Sequence, residues 1–237
     1  MKQLILIFLI LFLTTTTQAQ VLKQVKKLNS ASSSASPLFS EEDAAQAIKE
    51  ALKNGVSHGV KVLSQKDGYY GNKEVKIPFP QDAKTMEKKL RQVGMGKKVD
   101  DVVLSINRAS EDAAIAAKDI FIEAIKNMSI VDATKIVMGE KNAATNYLKK
   151  TTSEKLYVKF KPIIEKSLQK VNATKYWKDM ISTYNKIPMV KKMNPDLTDY
   201  VTRKAIKGLF VMIAKEEAKI RIDPIARTSD ILKKVFK

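Results

Sequence analysis

From residue 40 onward, apolar residues recur every three or four positions. The pattern predicts helix nearly throughout, an all-α fold built as a compact irregular multi-helix bundle. Ser40 followed by Glu41, Glu42 and Asp43 reads as an N-cap with acids in the first turn, where the helix dipole favours them. Ile48, Leu52, Val56, Val60 and Leu63 then share a helical face, and Ala51, Gly55 and Gly59 form a row of small residues at i, i+4 and i+8. Glycine inside a helix costs up to ~1 kcal/mol, so this row predicts close approach of a second backbone. His58 lies on the same helix and is assigned to packing or solvent.

Asp67-Gly68-Tyr69-Tyr70-Gly71-Asn72 is a turn-rich loop, and Val75 to Pro80 is limited by its two prolines to an extended or edge segment. At most one short hairpin is expected, near 69–79. A helix over about 81–93 is closed by Gly94 and Gly96. The longest pattern predicts one helix over 98–128, with a stripe of Val99, Val102, Val103, Ile106, Ala109, Ala113, Ala116, Ile120 and Ala124. Ile115 and Ile122 fall off that stripe, which predicts a central helix covered on two sides. Asn107, Arg108 and Glu111 share their sector, a setting for a half-buried Arg–carboxylate pair.

Short helices are expected over 131–138 and 143–150. Another begins at Thr152 or Ser153 with Glu154 and reaches Val171, kinked at Pro162. The segment 173–185 carries Tyr176, Trp177, Met180, Ile181 and Tyr184; Trp177 is assigned to the core. A last long helix over 197–222 is apolar almost all round from Leu209 to Ala214. Asp223 is suited to cap a new turn whose first residue is Pro224, and residues 229–236 form a final amphipathic helix.

The first forty residues follow different rules. Met1-Lys2, ten unbroken apolar residues from Leu4 to Leu13, and small residues at Thr17 and Ala19 make the three-part pattern of a secretory signal, with the expected cut after Ala19. Ten apolar residues are too few for a helix across a bilayer core of ~30 Å, so no transmembrane segment is expected in the mature chain. Residues 20–40 read as an arm bearing Lys23, Lys26 and Lys27, then a Ser/Ala tether, ahead of a single helical domain over 41–237. The expected location is periplasmic or secreted.

Composition narrows the chemistry. The 237 residues include no Cys and one His, which excludes disulfides, thiolate chemistry and Cys- or multi-His metal sites. No catalytic residue, metal or cofactor is assigned. The formal net charge is +18, and setting aside Lys2 and the three lysines of the arm leaves +14 on the helical body. Of the 43 basic residues, 38 are Lys and 5 are Arg. Base and phosphate readout favours the planar fork of Arg, so no specific nucleic-acid partner is expected. Such Lys enrichment follows from an A+T-biased genome as well as from a polyanion-binding face.

Several local strings are distinctive: Arg221-Ile222-Asp223-Pro224-Ile225-Ala226-Arg227-Thr228-Ser229 with Ile231-Leu232 and Val235-Phe236; Asp67-Gly68 and Asn72 before Ile77-Pro78-Phe79-Pro80; Asn107-Arg108-Ala109 with Glu111; Ala143-Ala144-Thr145 with Tyr147; Tyr200-Val201-Thr202 before Gly208-Leu209-Phe210. In this order they resemble the bacterial domain-of-unknown-function family 4197, over essentially all of residues 41–237. The resemblance implies an exported bacterial protein and no assigned activity, cofactor or catalytic residue. Some relatives carry a lipoprotein Cys after the signal, which this chain lacks.

With Lys so dominant, Arg91, Arg108, Arg203, Arg221 and Arg227 mark places where a bidentate donor matters. The candidate ligand-binding residues are Asn107, Arg108, Glu111, Glu217, Arg221, Asp223 and Arg227, with structural stapling as the competing role. The expected function is a non-catalytic envelope or secreted binding protein, its partner an envelope protein or an anionic envelope polymer. The alternative is a carboxylate-based hydrolase of envelope polysaccharide, which requires two acids facing each other across a cleft ~5–10 Å wide.

Overall fold

In the computed structural model, residues 39–92, 94–170, 172–186, 188–189, 192–193 and 196–236 are described. The expected signal, the Lys-bearing arm and the tether, as far as residue 38, lie outside them. Among the described residues there are nine α-helices: α1 (Glu41–Leu63), α2 (Lys84–Gln92), α3 (Gly96–Ala114), α4 (Ala117–Lys126), α5 (Ile130–Val137), α6 (Ala143–Lys170), α7 (Ala173–Asn185), α8 (Leu197–Ile222) and α9 (Asp230–Val235). Short 3-10 turns at Gln81–Ala83 and Pro224–Ala226 lead into α2 and α9.

Where start signals are local, they act as the sequence predicts. Ser40 and Asp43 form a reciprocal capping box at α1, each side chain accepting from the other's amide. Asp223 accepts from the Ile225 amide with Pro224 at the first position of its turn, and Ser229 caps α9. The helix over 197–222 has the bounds its pattern predicts.

The bundle is organised by α8, which packs against both α6 and α1. In turn α6 packs on α3 and α4, and α1 on α4, α5 and α9. The small-residue row of α1 is where α8 comes closest: a Cβ on Gly55 would stand 3.0 Å from Glu216 Cβ, and one on Gly59 3.4 Å from Met212 Cβ. In the core, Phe121 and Phe210 meet edge to face at 5.8 Å, and Trp177, fully buried, packs on Phe79 at 5.1 Å.

Three expectations change. The single helix over 98–128 is broken by a turn at Ile115–Ala116, where the amides of Ala116 and Lys118 bond three residues back, to Ala113 and Ile115. The buried line continues through Ala113, Ala117, Phe121 and Ile125, in place of Ala116, Ile120 and Ala124. Steps of four drift ~40° each around a straight helix, so a break is needed to keep Phe121 and Ile125 inward. Ile115 lies at the turn and is 60% exposed, but Asn107 and Glu111 of the same sector are buried, so α3 is covered on a second side up to the turn.

Second, the segments 143–150 and 152–171 are one continuous helix, α6. The Thr151, Thr152 and Ser153 hydroxyls donate to carbonyls four residues back, on Tyr147, Leu148 and Lys149, and so start no new helix. Pro162 sits inside α6 on its exposed side, where the carbonyl it leaves unbonded is that of Val158, itself a solvent-facing position. Third, no strand forms over 69–79. The Ile77 peptide is paired by a side chain instead: its amide donates to Asn107 Oδ1 at 2.8 Å, and its carbonyl accepts from Asn107 Nδ2 at 2.8 Å.

Candidate functional site

The seven candidate residues fall into two clusters, and among the described residues no hydrogen bond or ion pair joins them. The first is on α3. Asn107 is fully buried and holds the Ile77 peptide while its Nδ2 also donates to the Val103 carbonyl at 2.7 Å. One turn on, Glu111 is buried (side chain 5% exposed). Its Oε1 accepts the Tyr69 and Tyr70 amides, both at 3.1 Å, and its Oε2 accepts Arg108 Nη1 at 2.6 Å. Arg108 Nη2 donates to Asp67 Oδ1 at 2.7 Å. The guanidinium therefore bridges the carboxylate of its own helix to the loop that carboxylate holds. The bonds to Glu111 first, and to Asp67 after it, raise the guanidinium's pKa above its ordinary value. Tyr69 is buried with its hydroxyl on the Ala205 carbonyl of α8 at 2.7 Å; burial, then the Glu111 charge, push that hydroxyl's pKa far upward.

The second cluster closes a joint between helices. Glu217 (3% exposed) accepts the Ala144 amide at 3.1 Å on Oε1, and on Oε2 the Thr145 amide at 2.9 Å and the Thr145 hydroxyl at 2.8 Å. These are donors of the first turn of α6, so a carboxylate from α8 caps α6 at its positive end. Arg221, one turn further along α8, donates from Nε and Nη2 to Glu217 Oε1 at 3.1 and 3.0 Å. Its Nη2 also reaches the Ile136 carbonyl at 2.8 Å, at the negative end of α5. Arg227 in turn donates to the Ile220 and Arg221 carbonyls, both at 3.0 Å, and closes the end of α8. Asp223 holds only its own turn.

Both buried acids thus have their oxygens fixed on donors of the protein. A general acid or base must reach its substrate's proton within hydrogen-bond distance. The cavity beside Glu217 and Arg221 is about 10 Å³, room for one water. Among the described residues no three His, Asp or Glu side chains gather as metal ligands, and no helix is long and apolar enough to cross a membrane.

The order and content of these strings are those of a known group. A family model, protein of unknown function (DUF4197), matches residues 38–237. The chain belongs to this family. No curated protein and no solved structure matches it. In this DUF4197 chain the resemblance seen in the sequence covers the whole helical body, and four of the strings that carry it are the ones engaged above: the 67–80 loop, Asn107 to Glu111, Ala144-Thr145, and Arg221 to Arg227.

Two open concavities of this DUF4197 chain lie elsewhere along α8, one shared with α6 and the other with α7 and Pro80. A hollow of about 430 Å³ is lined by Lys149, Glu154, Tyr157, Lys207 and Phe210, and one of about 270 Å³ by Trp177, Asp199, Tyr200 and Lys204. Arg203 borders both. Its Nε donates to both Asp199 oxygens at 3.0 Å, and its guanidinium lies 4.9 Å from the centre of the Tyr157 ring. The Tyr157 hydroxyl donates to Asp199 Oδ1 at 2.7 Å and, with Arg203 after it, holds that carboxyl below the usual range. Burial pushes the Tyr200 hydroxyl up to about 12; it donates to the Pro78 carbonyl at 3.1 Å. The sequence marks Arg203 as one of the five arginines but places neither it nor this face among the candidate ligand-binding residues. Asp199 and Arg203 at i, i+4 were its only local signal, since Tyr157 arrives from 42 positions away.

Proposed function

We propose that this chain is an exported, non-catalytic binding protein of the cell envelope or the secreted fraction, and that its ligand is an anionic envelope polymer. The observation that carries the proposal is the surplus of free cations. Among the described residues only six lysines form ion pairs, those at 155, 161, 215, 219, 233 and 234. The remaining lysines give a body whose charge is uncompensated within the fold, and such a field concentrates polyanions at the surface. The signal-like leader supports export. The rival expectation, a carboxylate-based hydrolase, draws no support from Glu111 or Glu217, whose oxygens are fixed on backbone amides and arginines. Binding of an anionic polymer through these cations carries a steep salt dependence.

Retention of the mature chain on immobilised heparin and on immobilised lipopolysaccharide tests the proposal. Elution that needs several hundred millimolar salt, with log affinity falling steeply against log salt, is the expected outcome. Elution of the wild-type chain at low salt from both columns overturns it.

A further inference from the structure

Arginine is the minority cation here, and four of the five arginines are engaged by the fold. Arg91 lies between Glu87 and Asp100, Arg108 between Glu111 and Asp67, Arg221 among Glu217 and α5 carbonyls, and Arg227 on the end of α8. Arg203 differs. Only its Nε is engaged, by Asp199, and among the described residues both terminal nitrogens lack a hydrogen-bond partner. The side chain is 68% exposed, yet it is oriented: Asp199 fixes it at Nε, Tyr157 lies under its plane, and the Tyr157 hydroxyl fixes Asp199. A guanidinium held at Nε with its outer fork free presents two parallel N–H donors to a carboxylate or phosphate, with the orientational entropy already lost.

The surroundings specify more than a bare anion. Lys149 and Lys207 line the larger hollow and form no ion pair among the described residues, so an anion at Arg203 meets further positive charge. Phe210 and Ile206 supply apolar surface, and about 430 Å³ is within the range that holds a small ligand or one unit of a chain. Glu154 and Ser153 line the same hollow. A carboxylate there repels a bare polyphosphate but accepts hydrogen bonds from hydroxyls, and apolar surface suits the C–H face of a pyranose ring.

We propose that the hollow bordered by Arg203, Lys207 and Lys149 on the α6–α8 face binds an acidic saccharide unit. The terminal nitrogens of Arg203 hold its carboxylate or phosphate, and Glu154 and Ser153 face its hydroxyls. This rests on the polymer-binding proposal above and gives that polymer a chemistry and a place.

The test is titration of the mature full-length chain, by calorimetry and by amide chemical-shift changes, with three probes: trigalacturonic acid, glucose 6-phosphate and neutral maltotriose. At least one of the acidic probes is expected to bind, with shifts centred on Tyr157, Arg203 and Lys207, and maltotriose is expected to bind at least tenfold more weakly. R203K, which keeps the charge and loses the fork, is expected to weaken the acidic probe about tenfold or more, consistent with loss of a charge-assisted bidentate pair. Arg203 is exposed, so this variant should keep its melting temperature; K118Q, at an exposed site on α4, is the control with unchanged binding. Which acidic probe responds to R203K separates carboxylate from phosphate. Equal binding by R203K and wild type, equal binding of maltotriose, or failure of both acidic probes overturns the inference. If heparin retention persists in any of those cases, the polymer proposal stands and the groove is wrong; if retention also fails, the polymer proposal fails with it.

Discussion

Replacing Glu217 by alanine removes an acceptor that holds three donors of α6 and two of Arg221 at once. A hydrogen bond to a charged group is worth about 1.5–3 kcal/mol, but the five do not add, because water entering the vacated space satisfies part of the α6 turn. The better guide is a buried ion pair with one partner removed, about 3–5 kcal/mol. With Glu217 at 3% and Arg221 at 15% exposure, solvent screening takes little from that figure. We expect a loss of about 4 kcal/mol, which for a domain near 200 residues lowers the melting temperature by about 8–16 °C. Urea unfolding followed by the fluorescence of Trp177, the one tryptophan, measures it. The double variant E217L/R221M should recover part of the loss, since uncharged residues of similar size leave no orphaned charge. A loss under about 1 kcal/mol for E217A, or strict additivity in the double variant, refutes the clamp. The sign also bears on the hydrolase alternative, because removing a strained catalytic carboxylate tends to leave stability unchanged or raise it.

Three further outcomes are expected. G208A should cost about 2–3 kcal/mol, because the new Cβ would stand 2.6 Å from Tyr69 Cε1 and push the ring off the Ala205 carbonyl; G59A, whose Cβ meets Met212 Cβ at 3.4 Å, should be neutral or gain up to about 1 kcal/mol, and comparing the two melting curves decides. N107A should cost about 3 kcal/mol and N107D more at neutral pH, since a carboxylate would oppose the Ile77 and Val103 carbonyls; chemical denaturation showing N107D the milder of the two would count against the peptide-pairing role. The Asp199 carboxyl titrates below its ordinary value of about 3.9, so its stabilising contribution is present above that value and is lost as pH falls through the lowered one. Y157F should move its midpoint up in a carboxyl carbon NMR titration, and an unmoved midpoint would mean the phenol is not the cause.

What could be read along the chain was whatever is decided within one or two helical turns. Ser40 with Asp43 and Asp223 before Pro224 are complete signals, and the pairs Arg108–Glu111 and Glu217–Arg221 lie at spacings that meet on any helix. The break at Ile115–Ala116 was hidden because Ala113, Ala114, Ala116 and Ala117 are alike; only the position of Phe121 against Phe210 selects the register. Thr151 to Ser153 are equally able to cap a helix or bond backward within one, and burial of Leu148, Thr152 and Leu156 along α6 decides for the second. At the candidate clusters the pairs were legible, but their work was not. That Glu217 caps α6 depends on amides 72 and 73 positions earlier, and that Arg108 has Asp67 as a second acid depends on a loop 41 positions earlier. Tyr157, 42 positions before Asp199, was hidden beside Arg203 in the same way.

The joint closed by Glu217 and Arg221 also sets a timetable. The corner where α5 ends and α6 begins is completed by side chains that follow it by 72 to 85 positions. Until α8 arrives, Ala144 and Thr145 have no acid to cap them and the Ile136 carbonyl no cation. Non-local closure of this kind raises contact order and slows folding relative to bundles joined neighbour to neighbour. A chain cut short before α8, by truncation or by a stalled ribosome, would therefore lack the cap of α6 and the cation at the end of α5.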